Sequence, residues 1–213
     1  MKTNKIRCVI FDCDGVLVDS EIIGIRVLLG LAAEYGVTMD EGEAVRFMSG
    51  RNLAESVAAL QALTDRPFAD DFIEQYRTRS YALFEKEVKP VEGIREVLEQ
   101  LTLPFCVASS GPVKKIELNL RLTGLLPFFE GKIFSAYTIN SWKPDPGIFL
   151  HAAATMGYPP ADCVVVEDSL AGIQAAKAGG FRALGYASEH SAGYLEAAGA
   201  EVFYSMKELP RLL

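Results

Sequence analysis

The chain is short of the side chains that build soft-metal and redox centres. Two histidines in 213 residues cannot furnish a histidine-rich metal site. The four cysteines, Cys8, Cys13, Cys106 and Cys163, lack paired CxxC spacing, so a zinc site is not expected. They lie in or beside short apolar runs and are expected to be reduced, buried thiols of a cytoplasmic protein. No apolar run approaches the ~18 residues of a membrane span. Residues 1–5 pass directly into a short apolar segment, without the longer stretch and cleavage site of a signal peptide. Neither a membrane partner nor export is therefore expected. Positive charge is also in deficit: 21 Lys+Arg against 28 Asp+Glu give −7 and a pI near 5.0, which argues against nucleic acid as a partner. Internal repeats and low-complexity tracts are missing too.

Half of the residues are hydrophobic, enough for a sizeable core. Short apolar runs recur at Arg7–Phe11, Phe105–Ala108, Cys163–Val166 and Phe181–Leu184. Near-continuous apolarity over so few residues fits strands covered on both faces, as in a parallel sheet. Helical patterns alternate with them. One begins at Asp145-Pro146 and ends at Gly157; another runs from Ser169 to Ala178 and is closed by Gly179-Gly180. The fold class expected is α/β, a Rossmann-like parallel sheet. The alternation breaks once. Between about Asp19 and Lys86 only helical signals occur, at Ile22–Tyr35, Leu53–Leu63 and Phe68–Phe84. Three helices exceed one crossover. The expected organisation is an α/β core of residues 1–18 and 87–213 carrying an α-helical insert of residues 19–86.

Four polar clusters punctuate the core. Asp12-Cys13-Asp14-Gly15 follows the first run, Ser109-Ser110-Gly111 the second, and Glu167-Asp168-Ser169 the third, while Trp142-Lys143-Pro144 lies in a connection. Ligands of open parallel sheets bind in the crevice at the carboxyl ends of the strands. Asp12, Asp14, Ser109, Lys143, Glu167 and Asp168 would converge there. Four carboxylates outweigh one lysine, a divalent cation is the natural remedy, and an all-oxygen donor set suits Mg²⁺. Cation, lysine and hydroxyl together form a receptacle for a phosphoryl group. One carboxylate can attack phosphorus; another, two residues on, can carry the proton.

In order and spacing these clusters resemble the four motifs of the haloacid dehalogenase superfamily, and the insert sits where that family places its small α-helical cap. The segment Asp12–Glu21 is similar to that of its sugar-phosphate phosphatases and β-phosphoglucomutase relatives. The resemblance implies an Asp12 nucleophile, an Asp14 general acid/base, and Ser109 with the Ser110 N–H on the phosphoryl oxygens. It further implies Lys143 as the neutralising cation. Mg²⁺ would be held by Asp12, the Asp14 carbonyl and Asp168, with Glu167 acting directly or through water. Dehalogenases and phosphonate-cleaving members lack an acid at the position of Asp14. Mutase relatives carry a histidine where this chain has Ile22, Ile23 and Gly24, which favours hydrolysis over the alternative of a sugar-phosphate mutase. Ser110 and Trp142 depart from the asparagine and glycine common in the family. The segment Ser49-Gly50-Arg51-Asn52 is expected to hang over the crevice. Arg51 there suits an anionic substrate end, with Asn52 beside it, on phosphorylated sugars or sugar acids such as 6-phosphogluconate-like compounds. A receiver-like phospho-aspartate signalling domain is the non-enzyme alternative, but receivers have no acidic pair after the Lys-Pro step and no large insert. A monomer acting on a small phosphate ester is the default expectation.

Overall fold

The structure, a computed structural model, describes residues 5–48 and 51–213. After β1 (Cys8–Phe11) and a two-residue β2 (Val18–Asp19) come four helices: α1 (Glu21–Ala33), α2 (Glu41–Met48), α3 (Leu53–Gln61) and α4 (Phe72–Glu87). The chain returns through β3 (Lys89–Pro90) to α5 (Ile94–Gln100), β4 (Phe105–Ser109), α6 (Val113–Leu122), α7 (Leu126–Phe129) and β5 (Ile133–Ser135). Then follow α8 (Ala136–Ile139), α9 (Gly147–Met156), β6 (Cys163–Glu167), α10 (Leu170–Ala178), β7 (Arg182–Tyr186), α11 (Ala192–Ala197), β8 (Glu201–Phe203) and α12 (Leu209–Leu212). The chain divides into two compact units, Met1–Asp19 with Lys89–Leu213, and Ser20–Val88. No helix among the described residues is long and apolar enough to cross a membrane.

The first unit is an α/β sheet structure. Six strands lie in the order β5-β4-β1-β6-β7-β8, and every neighbouring pair is parallel. Buried on both faces, β1, β4 and β6 read as uninterrupted apolar runs for the reason anticipated from parallel sheets. The chain steps from β1 to β4 on one side and later returns to β6 on the other, so the order reverses at β1. Register fixes what meets there: Phe11 is level with Val107 of β4 and Val166 of β6. The Asp12 N–H donates to the Val166 carbonyl (2.9 Å), which brings Asp12 beside Glu167. A core of Ile10, Cys106, Ala108, Phe149, Cys163 and Val165, among others, lies beneath this edge. All four cysteines are free and buried.

The second unit is helical, with a core that includes Leu28, Leu31, Leu60 and Phe72. Phe68 stacks on Phe72 (centroids 4.2 Å apart), with Tyr35 edge-on to both, so three aromatics close one end of that core. Its helix count differs from the sequence expectation: α2 is a fourth helix, and it buries only Ala44 and Met48. Two buried residues in eight are too thin an apolar stripe to register as helical periodicity.

Candidate active site

The centre of the site is a lysine shared by two buried carboxylates. Lys143 Nζ lies 2.5 Å from Asp12 Oδ1 and 2.5 Å from Glu167 Oε1. Its side chain is 6% exposed, Asp12 10% and Glu167 0%. Beneath the ammonium, 4.9 Å away, is the ring of Phe149, an α9 residue in the sheet core. Burial by itself works against the lysine's charge, but Asp12 and Glu167 outweigh it and hold the Lys143 pKa above its ordinary value. Asp12 is pushed the other way from a typical salt-bridged acid. Burial, opposed by Lys143 and reinforced by Glu167 and Asp14, raises it from 3.8 to about 7. Lys143 thus faces two buried acids at once.

Glu167 is clamped on its other side as well. Its Oε2 accepts from the Asp168 N–H (3.0 Å), the Ser169 N–H (2.8 Å) and the Ser169 hydroxyl (2.8 Å). Ser169 Oγ in turn accepts from Gly172 N–H at the start of α10, so one hydroxyl caps the helix and orients the acid. Gly172 gives the carboxylate its room: a Cβ there would fall 1.9 Å from Glu167 Oε1. With four donors engaged, Glu167 is built to fix Lys143.

Asp14 belongs to a separate pair. Lys115 Nζ approaches Asp14 Oδ1 to 2.7 Å, with both side chains about a quarter exposed, at 22% and 25%. Ser109, at the end of β4, is buried, and its Oγ accepts from Gly111 N–H (3.0 Å). That bond occupies a lone pair and leaves the hydroxyl hydrogen available for donation. The loop is latched from β5, where the Ser135 hydroxyl donates to the Gly111 carbonyl (2.6 Å). Cys13, between the two aspartates, is buried, and burial pushes its thiol well above the ordinary value, so it stays protonated.

One carboxylate oxygen from each of Asp12, Glu167 and Asp168 can be chosen so that all lie within 4.8 Å of one another. An all-oxygen donor set of this size, in surplus over its lysine, fits a hard divalent cation. The backbone is shaped around the same group. Gly15 has φ +80°, and a Cβ there would fall 1.9 Å from Asp168 Oδ2. Gly36 also has positive φ (+90°), but nothing lies within 4 Å of its Cβ position. Gly36→Ala should therefore cost only the backbone term, about 1–2 kcal/mol. Gly15→Ala should cost that plus a steric term, about 2–5 kcal/mol in all, as measured by urea unfolding. Equal losses at the two positions would mean that Asp168 is not packed on Gly15.

The structure thus brings Asp12, Lys143, Glu167 and Asp168 together at the ends of the strands and sets Asp14 on the loop after β1 and Ser109 at the end of β4. Ser110 is half-buried in the Ser109 loop. Arg51 and Asn52 belong to the helical unit, and Ser49 and Gly50 lie outside the described residues. Arg51 is exposed, with its guanidinium 4.7 Å over the Phe47 ring. Asn52 is the N-cap of α3: its side chain accepts from Glu55 N–H (3.0 Å) while its own N–H donates to the Glu55 carboxylate (2.9 Å). Trp142 meets Tyr137 edge-on at 5.3 Å. Sequence reasoning missed Lys115. The signal was a lysine in the first turn of a helix, the end where the macrodipole disfavours a cation, and where a compensating acid is to be sought.

The sequence matches the family description "haloacid dehalogenase-like hydrolase" over residues 6–180. It is 37% identical over 172 residues to the 6-phosphogluconate phosphatase of Escherichia coli, covering 80% of this chain and 78% of that protein. It is 29% identical to the phosphorylated carbohydrates phosphatase of Thermotoga maritima, over 87% of this chain and 86% of that one. A crystal structure of a conserved haloacid dehalogenase-like protein of unknown function from Agrobacterium tumefaciens superposes with a TM-score of 0.86. It has 35% identity and covers 97% of each chain.

Proposed function

We propose, from the premise that this chain belongs to the haloacid dehalogenase-like hydrolase family and is a phosphoric monoester hydrolase, that it dephosphorylates a phosphorylated sugar or sugar acid through an aspartyl-phosphate. The observation that carries the reading is Lys143, held between Asp12 and Glu167 at 2.5 Å from each at the ends of β1 and β6.

Asp12 is the nucleophile. Its carboxylate attacks phosphorus, the ester oxygen leaves, and Asp14 donates the proton that the leaving oxygen requires. Water then attacks the aspartyl-phosphate with Asp14 as base, releasing inorganic phosphate and restoring Asp12. Lys143 offsets charge on Asp12 and the phosphoryl oxygens, and Ser109 Oγ–H and the Ser110 N–H bind those oxygens. Asp12, the Asp14 carbonyl and Asp168 would hold Mg²⁺, with Glu167 supporting it through Lys143 and Asp168. When bound, the ion supplies charge neutralisation on the phosphoryl group. Arg51 is assigned to an anionic end of the substrate, and the relative named 6-phosphogluconate phosphatase supports a sugar-acid ester.

The test is a panel of phosphate esters assayed for inorganic phosphate after chelation and after Mg²⁺ addition. One phosphate per ester consumed, only with the divalent cation, is expected. Arg51→Ala should lose more on sugar-acid esters than on p-nitrophenyl phosphate. A rearranged sugar phosphate with no phosphate released would favour a mutase, and turnover in chelator would remove the metal from the mechanism.

A further inference from the structure

We infer that Lys115 is a positioning residue that fixes the Asp14 carboxylate for proton transfer to the leaving group. The inference rests on the assignment of Asp14 as general acid. The acids of the site are served by two lysines with separate duties. Lys143 is committed to Asp12 and Glu167, whereas the 2.7 Å contact to Asp14 comes from Lys115. An aspartate has two free torsions. A charge-assisted hydrogen bond between groups only a quarter exposed selects among its rotamers far more strongly than a solvated pair does.

The lysine is placed for this at a local disadvantage. It stands in the first turn of α6, where the helix dipole opposes a cation. Helix side chains lean toward the N-terminus, so this position also aims the ammonium back toward the strand ends. The stem passes over Gly111: a Cβ on that glycine would meet Lys115 Cδ at 3.6 Å and Ser109 Oγ at 3.4 Å. The loop that presents Ser109 therefore also guides Lys115 to Asp14. Acid, hydroxyl and lysine come from the loop after β1, the end of β4 and the first turn of α6.

The role predicts dependence on the leaving group. An alkoxide needs a proton as it departs, whereas p-nitrophenolate leaves without one. Loss of kcat/KM, which reports phosphoryl transfer to the enzyme, should be compared for Lys115→Ala on a sugar phosphate and on p-nitrophenyl phosphate. The loss is expected to be roughly tenfold or more greater on the sugar ester, within the range of general-acid effects. Inhibition by inorganic phosphate should shift less than about threefold, and Lys115→Arg should restore most of the difference, since it keeps the donor. Lys115→Gln serves the same comparison if the alanine variant does not fold. Equal losses on both esters, or phosphate inhibition weakened about tenfold, would overturn the inference in favour of a packing or phosphate-binding lysine. Asp14→Ala separates the two claims. If it too shows no leaving-group dependence, the assignment of Asp14 has failed; if it shows one and Lys115→Ala does not, the failure belongs to Lys115.

Discussion

Asp12→Asn is expected to abolish phosphate release, lowering kcat by roughly 10⁴-fold or more, as removal of a covalent nucleophile does elsewhere. The amide keeps the volume and an acceptor for Lys143, so the variant should fold. What it loses is a carboxylate oxygen able to bond phosphorus. The same variant carries a pH signature in stability. In the metal-free enzyme, burial raises Asp12 from 3.8 to about 7, so the folded chain binds that proton more tightly than the unfolded one. The stabilisation is full below about 3.8 and is lost as pH rises through about 7. Asparagine stays neutral throughout. In chelator, wild type should therefore melt below Asp12→Asn at pH 8, with the gap closing toward pH 4. Adding Mg²⁺ at pH 8 should raise the wild-type Tm and move the variant's much less. A wild-type enzyme equal to the variant in chelator at pH 8 would place an ionised Asp12 in a well-solvated setting, against its burial. Retained turnover by the variant would remove the covalent mechanism outright.

The legible parts of this molecule are those where backbone pattern and chemistry coincide. β1, β4 and β6 each run apolar into a polar cluster, because a strand buried on both faces must end where the chain meets the crevice. The places of Asp12, Ser109 and Glu167 at the strand ends were readable from that boundary. β5 and β8 were not: with three residues each, they hold their places through pairing with β4 and β7, which is a tertiary fact. The helical insert was visible through its missing strands, but α2 was not, since its buried face is two residues. Within the site, position was readable and partnership was not. Nothing in the spacing distinguishes a Glu167 that ligates a cation from one whose oxygens are occupied by Lys143, two backbone N–H groups and Ser169. Asn52 makes the same point. Its place before Leu53 serves a helix cap and a substrate contact equally well in sequence, and the capping box with Glu55 is visible only when both hydrogen bonds are.

Lys143→Met is the second large effect, and it divides between activity and stability in a way that Asp12→Asn does not. Removal of the buried cation leaves Asp12 and Glu167, at 10% and 0% side-chain exposure, facing each other without compensation. Breaking a buried pair from one side costs about 3–5 kcal/mol, because the orphaned charge cannot recover its hydration. Glu167 has no escape by rotation, since Asp168 N–H, Ser169 N–H and Ser169 Oγ hold its other oxygen and Gly172 leaves no slack beneath it. Protonation of Asp12, whose pKa burial already raises, is the remaining relief. The stability deficit measured by urea unfolding should therefore shrink as pH falls from 8 to 5, because the variant gains more from protonation of Asp12 than wild type, where Lys143 opposes it. Phosphate release should fall by about 10³-fold with loss of charge stabilisation at the phosphoryl group. Adding Glu167→Gln to Lys143→Met removes the orphaned charge and should return much of the lost stability but none of the activity. A single variant losing less than about 1 kcal/mol would mean that the lysine does not compensate the two acids it touches, and the site's electrostatic design would have to be assigned to Asp168 and the cation alone.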